Sequence, residues 1–190
     1  IVGKDVTVAD LTVKKGNVEI YGTVNNISFT DNGGYVTVCS VSTAAQLKVA
    51  GALVTQKKCR KIVLTADIDL NGSSENLWEP MNAEYNALKN GETNLEEFDG
   101  GNHTICNLYV DNVTNKTNTK GNYYGGLFYV LNGTVKDLTI DGATVTCFRG
   151  AALIGRLDAG LVENCHVKNA RIYSEQKAGG WRVMYTTAAK

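Results

Sequence analysis

The run Val135-Lys136-Asp137-Leu138-Thr139-Ile140-Asp141-Gly142-Ala143-Thr144-Val145 is answered 27 residues on by Val162-Glu163-Asn164-Cys165-His166-Val167-Lys168-Asn169-Ala170-Arg171-Ile172. Both open on the pattern V-x-x-L-x-V, with Cys165 in the Leu place. The same pattern stands at Val8-Ala9-Asp10-Leu11-Thr12-Val13, at Val24-Asn25-Asn26-Ile27-Ser28-Phe29 and over Ile105 to Val110. A second strip precedes each of the later copies. Gly126-Leu127-Phe128-Tyr129-Val130 and Ala152-Leu153-Ile154-Gly155-Arg156 are displaced by 26, and a third strip starts at Gly179-Gly180-Trp181.

A repeat of 26 to 27 residues, made of short alternating strands and Asn/Gly corners, reads as one coil per repeat. Strands this short cannot bury an apolar side alone, so coils must stack and like positions must form ladders. The expected inward ladders are Leu108, Leu138 and Cys165, and Val110, Ile140 and Val167. Lys136, Asp137, Glu163 and His166 fall outward. The predicted fold is all-β, a parallel β-helix (solenoid) with one or two short inserted or capping α-helices. Residues 1–37 are read as an N-terminal β segment and 38–190 as the main solenoid.

Composition agrees with many turns and many β-formers: 20 Gly, 19 Asn and one Pro, with Val, Ile, Leu and Thr between them. Lys plus Arg equals Asp plus Glu, so no net field steers the chain toward nucleic acid or an anionic membrane. The short basic run Lys57, Lys58, Arg60 and Lys61 reads as a solvated strand entry. No stretch approaches the roughly 20 apolar residues of a membrane-spanning helix, and residues 1–20 lack a signal-peptide pattern. Because repeat sequence begins already at Val8, the expectation is a chain that starts inside a larger protein.

Ser42-Thr43 followed by apolar residues at helical spacing to Val54 predicts a capped helix covering an apolar face or end. Asn82 to Gly91 predicts a second, inserted helix with an Asn cap and a Gly stop. Residues 111–125 read as a long exposed loop.

Ile62-Val63-Leu64-Thr65-Ala66-Asp67-Ile68-Asp69-Leu70, then Trp78-Glu79-Pro80-Met81, then Phe98-Asp99-Gly100-Gly101-Asn102-His103-Thr104-Ile105 resemble the opening of GLUG-motif surface proteins. The strips at Gly126 and Ala152 extend the resemblance over roughly residues 38–180, with Ala152 in place of the motif's Gly and Trp181 to Tyr185 fitting poorly. The resemblance implies a pectin-lyase-like, right-handed parallel β-helix and a bacterial, secreted or cell-surface, adhesin-like protein. The last ten residues are expected to leave the solenoid or to fray at its end.

HExxH, GxSxG, Walker-type and GxGxxG patterns are absent, and Ser174-Glu175-Gln176-Lys177 matches SxxK only formally. β-helical carbohydrate enzymes place several carboxylates together on one outward face, whereas Asp137 and Glu163 are nearly alone and Asp99 sits in a turn. No catalytic, cofactor or metal residue is assigned, and no cofactor is expected. Three constellations stay open. Asp67, Asp69 and Asn71 begin like a calcium loop, but Trp78 stands where an EF-hand needs Glu. Cys39 and Cys59, two of five cysteines (39, 59, 106, 147 and 165), flank the first helix and are candidates for a disulfide or for buried free thiols. Trp78, Tyr109, Tyr123 and Tyr124 are candidates for a sugar-stacking surface.

His103 and His166 have no ligand-like spacing to the cysteines, and His166 is read as a surface residue. Six Asn-x-Ser/Thr triplets, at Asn26, Asn71, Asn102, Asn112, Asn115 and Asn132, are read as products of composition rather than as eukaryotic glycosylation sites. The function predicted is a non-catalytic surface module that binds a glycan or a protein. The rivals are a fragment of a polysaccharide lyase or glycoside hydrolase, and a purely structural spacer.

Overall fold

The computed structural model describes residues 1–30, 34–82, 95–112 and 124–174. In chain order the first part holds strands β1 (Thr7–Val13), β2 (Val18–Ile20), β3 (Thr23–Phe29) and β4 (Val36–Val41), then helix α1 (Ala44–Thr55). After the helix come β5 (Lys61–Leu64), β6 (Ile68–Asp69), β7 (Glu97–Cys106), β8 (Tyr109–Asp111), β9 (Tyr124–Gly125), β10 (Phe128–Leu131) and β11 (Thr134–Asp141). The last are β12 (Thr144–Cys147), β13 (Arg149–Gly150), β14 (Ile154–Leu157), β15 (Leu161–Glu163), β16 (His166–Lys168) and β17 (Arg171–Ser174).

The mostly β class expected from the repeat is present, but the single right-handed parallel β-helix is not. Among the described residues the strands fall into five separate sheets of 8, 3, 2, 2 and 2 strands. The return of the chain to a neighbouring strand also lacks a constant period. It takes 16 residues between Val8 and Val24, 23 between Cys39 and Ile62, 36 between Ile62 and Phe98, and 27 between Val135 and Val162. The 36-residue return contains the long segment 70–96 between β6 and β7, whereas the 23-residue return already accommodates α1 between β4 and β5. The strand pairs of all five sheets are parallel.

The local pattern V-x-x-L-x-V has a backbone cause in β11 and its C-terminal neighbour. Side chains in a strand alternate sides, so two successive outward positions require an extra residue. In β11 that residue is Asp137, at φ 51°, and in the following turn it is Asn164, at φ 48°. Each left-handed residue resets the alternation, so that Val135, Leu138 and Ile140 all face inward and are buried. A second reset comes at Gly142 and Asn169, with φ of 73° and 50°, and takes the chain from one sheet to the next. Asn and Gly occupy these corners because they tolerate the left-handed region better than other residues.

The registers correct the expected ladders. Ile105 pairs with Ile140, and Ile140 with Val167, so these three and Ile68 form one rank. Val110 belongs elsewhere, beside Val145, which in turn pairs with Ile172. Leu108 likewise stands apart from Leu138: its carbonyl accepts from Thr144, while Leu138 lies opposite His103. Leu138 and Leu108 are both buried in the common core, but Cys165 is only half-buried. The error has a clear origin. The pattern V-x-x-L-x-V lies on both sides of Ile140, with Ala143 in the second Leu place, and Ile105 to Val110 aligns with the second of these halves, Ile140 to Val145, rather than with the first.

The core runs continuously through the large sheet, with Ile62, Phe98, Val135, Leu127 and Phe128 fully enclosed. Phe98 and Phe128 meet edge to face at 5.4 Å. Burying each such side chain contributes about 1.5–3 kcal/mol, set against the ordering of the strands that carry it.

Helix α1 begins as its hydroxyls predict. Thr43 caps it, accepting from the Gln46 N–H at 3.2 Å, and Gln46 Oε1 accepts in return from the Ser42 N–H at 2.8 Å. Leu47, Ala50, Leu53 and Val54 pack inward, so one face of the helix covers the core. The predicted helix at Asn82 to Gly91, the loop core at 113–123, Gly179-Gly180-Trp181 and the last ten residues lie outside the described residues, apart from Asn82. Asn82 is buried, and its Nδ2 donates to the Val130 carbonyl at 3.0 Å.

Candidate functional site

Of the acids flagged as a calcium loop, Asp67 precedes β6 and Asp69 ends it. Ile68 points into the core, which turns Asp67 and Asp69 outward. Asp67 Oδ1 accepts from the Thr104 N–H at 2.8 Å and lies 3.3 Å from His103 Nδ1. Asp69 Oδ1 accepts from the Asn71 N–H at 2.7 Å and from Asn107 Nδ2 at 2.9 Å. The Thr104 bond is the main reason that Asp67 stays below the ordinary carboxylate range, and the Asn107 bond does the same for Asp69. The carboxylates thus tie β6 to β7 instead of converging on a common point. Among the described residues no group of three His, Cys, Asp or Glu side chains is placed to hold a metal ion.

The same use of outward side chains recurs between other strands. Asn26 Nδ2 donates to Asp10 Oδ1 at 3.0 Å, and Ser28 to Thr12 at 3.3 Å, across the β1–β3 pair. Asn164 Nδ2 donates to Asp137 Oδ1 at 3.0 Å, and Asn169 Nδ2 to Asp141 Oδ1 at 2.7 Å. On the large sheet Glu97 pairs with Lys61, and Lys136 lies 3.4 Å from both Glu97 and Asp99. The Lys61 contact, foremost, holds Glu97 below the ordinary range, and Glu97 in turn raises Lys136. Asp99 Oδ1 accepts from the Gly101 N–H at 2.9 Å, the turn bond expected for it.

Sequence reasoning missed the Lys61–Glu97–Lys136–Asp99 group, because its members come from three strands whose register was not known. The available signal was the outward placement of charge of both signs in β5, β7 and β11. Chemically, Glu97 in this group and the Asp67–Asp69 corner are carboxylates whose surroundings favour the ionised form. A glycosidase acid needs the opposite, a carboxyl kept protonated near neutrality.

The aromatic candidates do not form one surface. Trp78 is buried, with its Nε1 donating to the Leu127 carbonyl at 3.1 Å. Tyr124 is also buried and meets Tyr129 edge to face at 5.2 Å. Tyr109 is half-buried, and Tyr123 lies outside the described residues. Flat rings serve a strand core as well as they serve a sugar, and sequence spacing does not distinguish the two. A cleft of about 350 Å³ does open between α1 and the segment at Trp78, bordered by Lys48, Thr55, Gln56, Leu77 and Glu79.

All five cysteines are free. Cys59 stands opposite Val36, while Cys39 stands opposite Ile62. Each is therefore displaced by three residues from the other, about 10 Å along the strands, which is beyond the reach of a disulfide. Burial raises the Cys39 thiol to about 12 and pushes Cys59 up as well, so both behave as small apolar residues. His166 is exposed, as its outward position requires. The side chain of Ser174 and the rest of the formal SxxK match lie outside the described residues.

No family model matches the chain, and no solved structure matches it. The chain is 30% identical, over 188 residues, to Halomucin of Haloquadratum walsbyi (strain DSM 16790 / HBSQ001). The match takes in 82% of this chain but only 2% of the relative. No helix among the described residues is long and apolar enough to cross a membrane.

Proposed function

We propose that this chain is a non-catalytic module of a secreted or cell-surface protein, a stiff β body that presents its outer strands and turns to a glycan or protein partner. One observation carries the reading. The outward polar side chains of successive strands are bonded to one another, in the pairs Asp10–Asn26, Asp69–Asn107, Asp137–Asn164 and Asp141–Asn169. Such bonds stiffen a surface and occupy groups that a reaction would need free. The depressed carboxyls of Asp67, Asp69 and Glu97 point the same way. The similarity to Halomucin supports the placement outside the cell.

Two measurements test the reading. Antibody raised to the purified chain should label intact cells producing the full-length protein, and labelling that appears only after permeabilisation contradicts the placement. Incubation with plant, host and bacterial polysaccharides should yield no new reducing ends and no unsaturated products. Turnover of any of them would replace this reading with a carbohydrate-active enzyme.

A further inference from the structure

The chain holds six Asn-x-Ser/Thr triplets, whereas 19 Asn and 25 Ser plus Thr in 190 residues give about 2.5 by chance. Their number therefore exceeds what composition supplies, and the fold sorts them. Attachment of a sugar requires a solvent-facing carboxamide whose nitrogen is not held in another hydrogen bond. Asn26 fails this, because its Nδ2 donates to Asp10. Asn112 fails too, since its Nδ2 donates to the Tyr124 carbonyl at 2.8 Å in a partly buried setting. Asn132 is half-buried, with its Oδ1 enclosed, and Asn115 lies outside the described residues.

Asn71 and Asn102 remain. Both are exposed and sit on sharp corners, at φ 47° and 62°. Asn71 uses its backbone N–H toward Asp69 and its carbonyl toward Asn76, which fixes the corner, and its carboxamide makes no hydrogen bond among the described residues. The Ser73 hydroxyl of that triplet accepts from the Glu75 and Asn76 N–H groups, and its own proton has no acceptor among the described residues. Asn102 stands at the bulge of β7 opposite Asp137, where three residues of β7 face one of β11. The Asn102 carboxamide is likewise unbonded among the described residues.

We infer that Asn71 and Asn102 are N-glycan acceptor sites. The donor is a lipid-linked glycosyl phosphate acted on by a separate transferase. In the transfer the sugar C1–O bond to phosphate breaks and a C1–Nδ2 bond forms. Nδ2 gives one proton to a base of the transferase, and the phosphate leaves with the bonding electron pair. The acceptor geometry is a property of the folded chain, whereas meeting the donor in the cell rests on the secreted placement proposed above.

The test uses the folded, purified chain with a lipid-linked oligosaccharide and an oligosaccharyltransferase specific for Asn-x-Ser/Thr, followed by peptide mass mapping. Short synthetic peptides carrying each triplet serve as the unfolded reference. Glycan mass is expected on the Asn71 and Asn102 peptides of the folded chain and lost from each in N71Q and N102Q. Asn26 and Asn112 should stay bare in the folded chain although their peptides are modified. Equal occupancy of Asn26 or Asn112 in the folded chain overturns the inference, and so do bare Asn71 and Asn102, whatever the peptides do. Surface labelling reads the location separately, so failure there leaves this result standing.

Discussion

At the scale of single residues, the fold depends on polar side chains at left-handed corners that also bond to the next strand. Asn107 shows both roles, with φ 55° and Nδ2 donating to Asp69. Asn107→Val should therefore destabilise the chain by about 1–3 kcal/mol, through a β-branched residue at positive φ and a lost bond to a carboxylate. Asn107→Gly should cost less, because only the bond is removed. The urea midpoint measures both. The depressed carboxyls of Asp67, Asp69 and Glu97 give a pH dependence of definite sign. Their contribution is present above the unfolded carboxylate values, near 4, and is lost as pH falls through the lower folded values. Thermal midpoints should therefore drop on acidification below about pH 4, and D67N/D69N/E97Q should show a smaller drop between the same pH values. The corners were legible in the sequence, since Asn and Gly recur between the apolar positions. Their second role was not, because a side-chain bond between strands depends on a register that the sequence leaves open.

At the scale of elements, α1 is the piece most fully readable from sequence. Its hydroxyl cap, its apolar face and its burial against the core all follow from residues 42–54. Thr43→Ala should cost about 1 kcal/mol, read from the thermal or urea transition, because the Gln46 N–H loses its acceptor. The strands were legible as short alternating runs, and Val8 to Val13 pairs with Val24 to Phe29 as the pattern implied. The copy at Ile105 to Val110 stands beside Ile140 to Val145, half a repeat away from the Val135 to Ile140 copy that its pattern suggests. Phe98, the true partner of Val135, was hidden by the extra residues Gly100, Gly101 and Asn102. Gly100 has a tertiary reason to be there, since a Cβ at that position would run into the Asp137 carbonyl and Leu138. For the aromatic and cysteine constellations, which the sequence left open, the structure favours burial, with Cys39 and Cys59 the free thiols that were one of the two readings. Trp78, Tyr124, Cys39 and Cys59 are all core residues, and burial is settled by packing between elements rather than by local spacing.

At the scale of the whole molecule, parallel pairing in fixed register is what connects sequence to proposed role. It aligns the apolar ranks inside and the Asp–Asn bonds outside, so one arrangement supplies both the core and a stiff polar surface. Several sheets and unequal returns replace the single wound ribbon, yet the ranks Ile68–Ile105–Ile140 and Val110–Val145 survive as ordered elements of the core, with half-buried Val167 and exposed Ile172 continuing them in register. A slip of one position in either rank would turn apolar side chains to water and break the outer bonds with them. Backbone NMR on the isotope-labelled chain tests this register most directly, through contacts between protons of adjacent parallel strands. Cross-peaks should link Ile140 to both Ile105 and Val167, and Val110 to Val145. Cross-peaks linking Val110 to Ile140, with none between Ile105 and Ile140, would contradict the account.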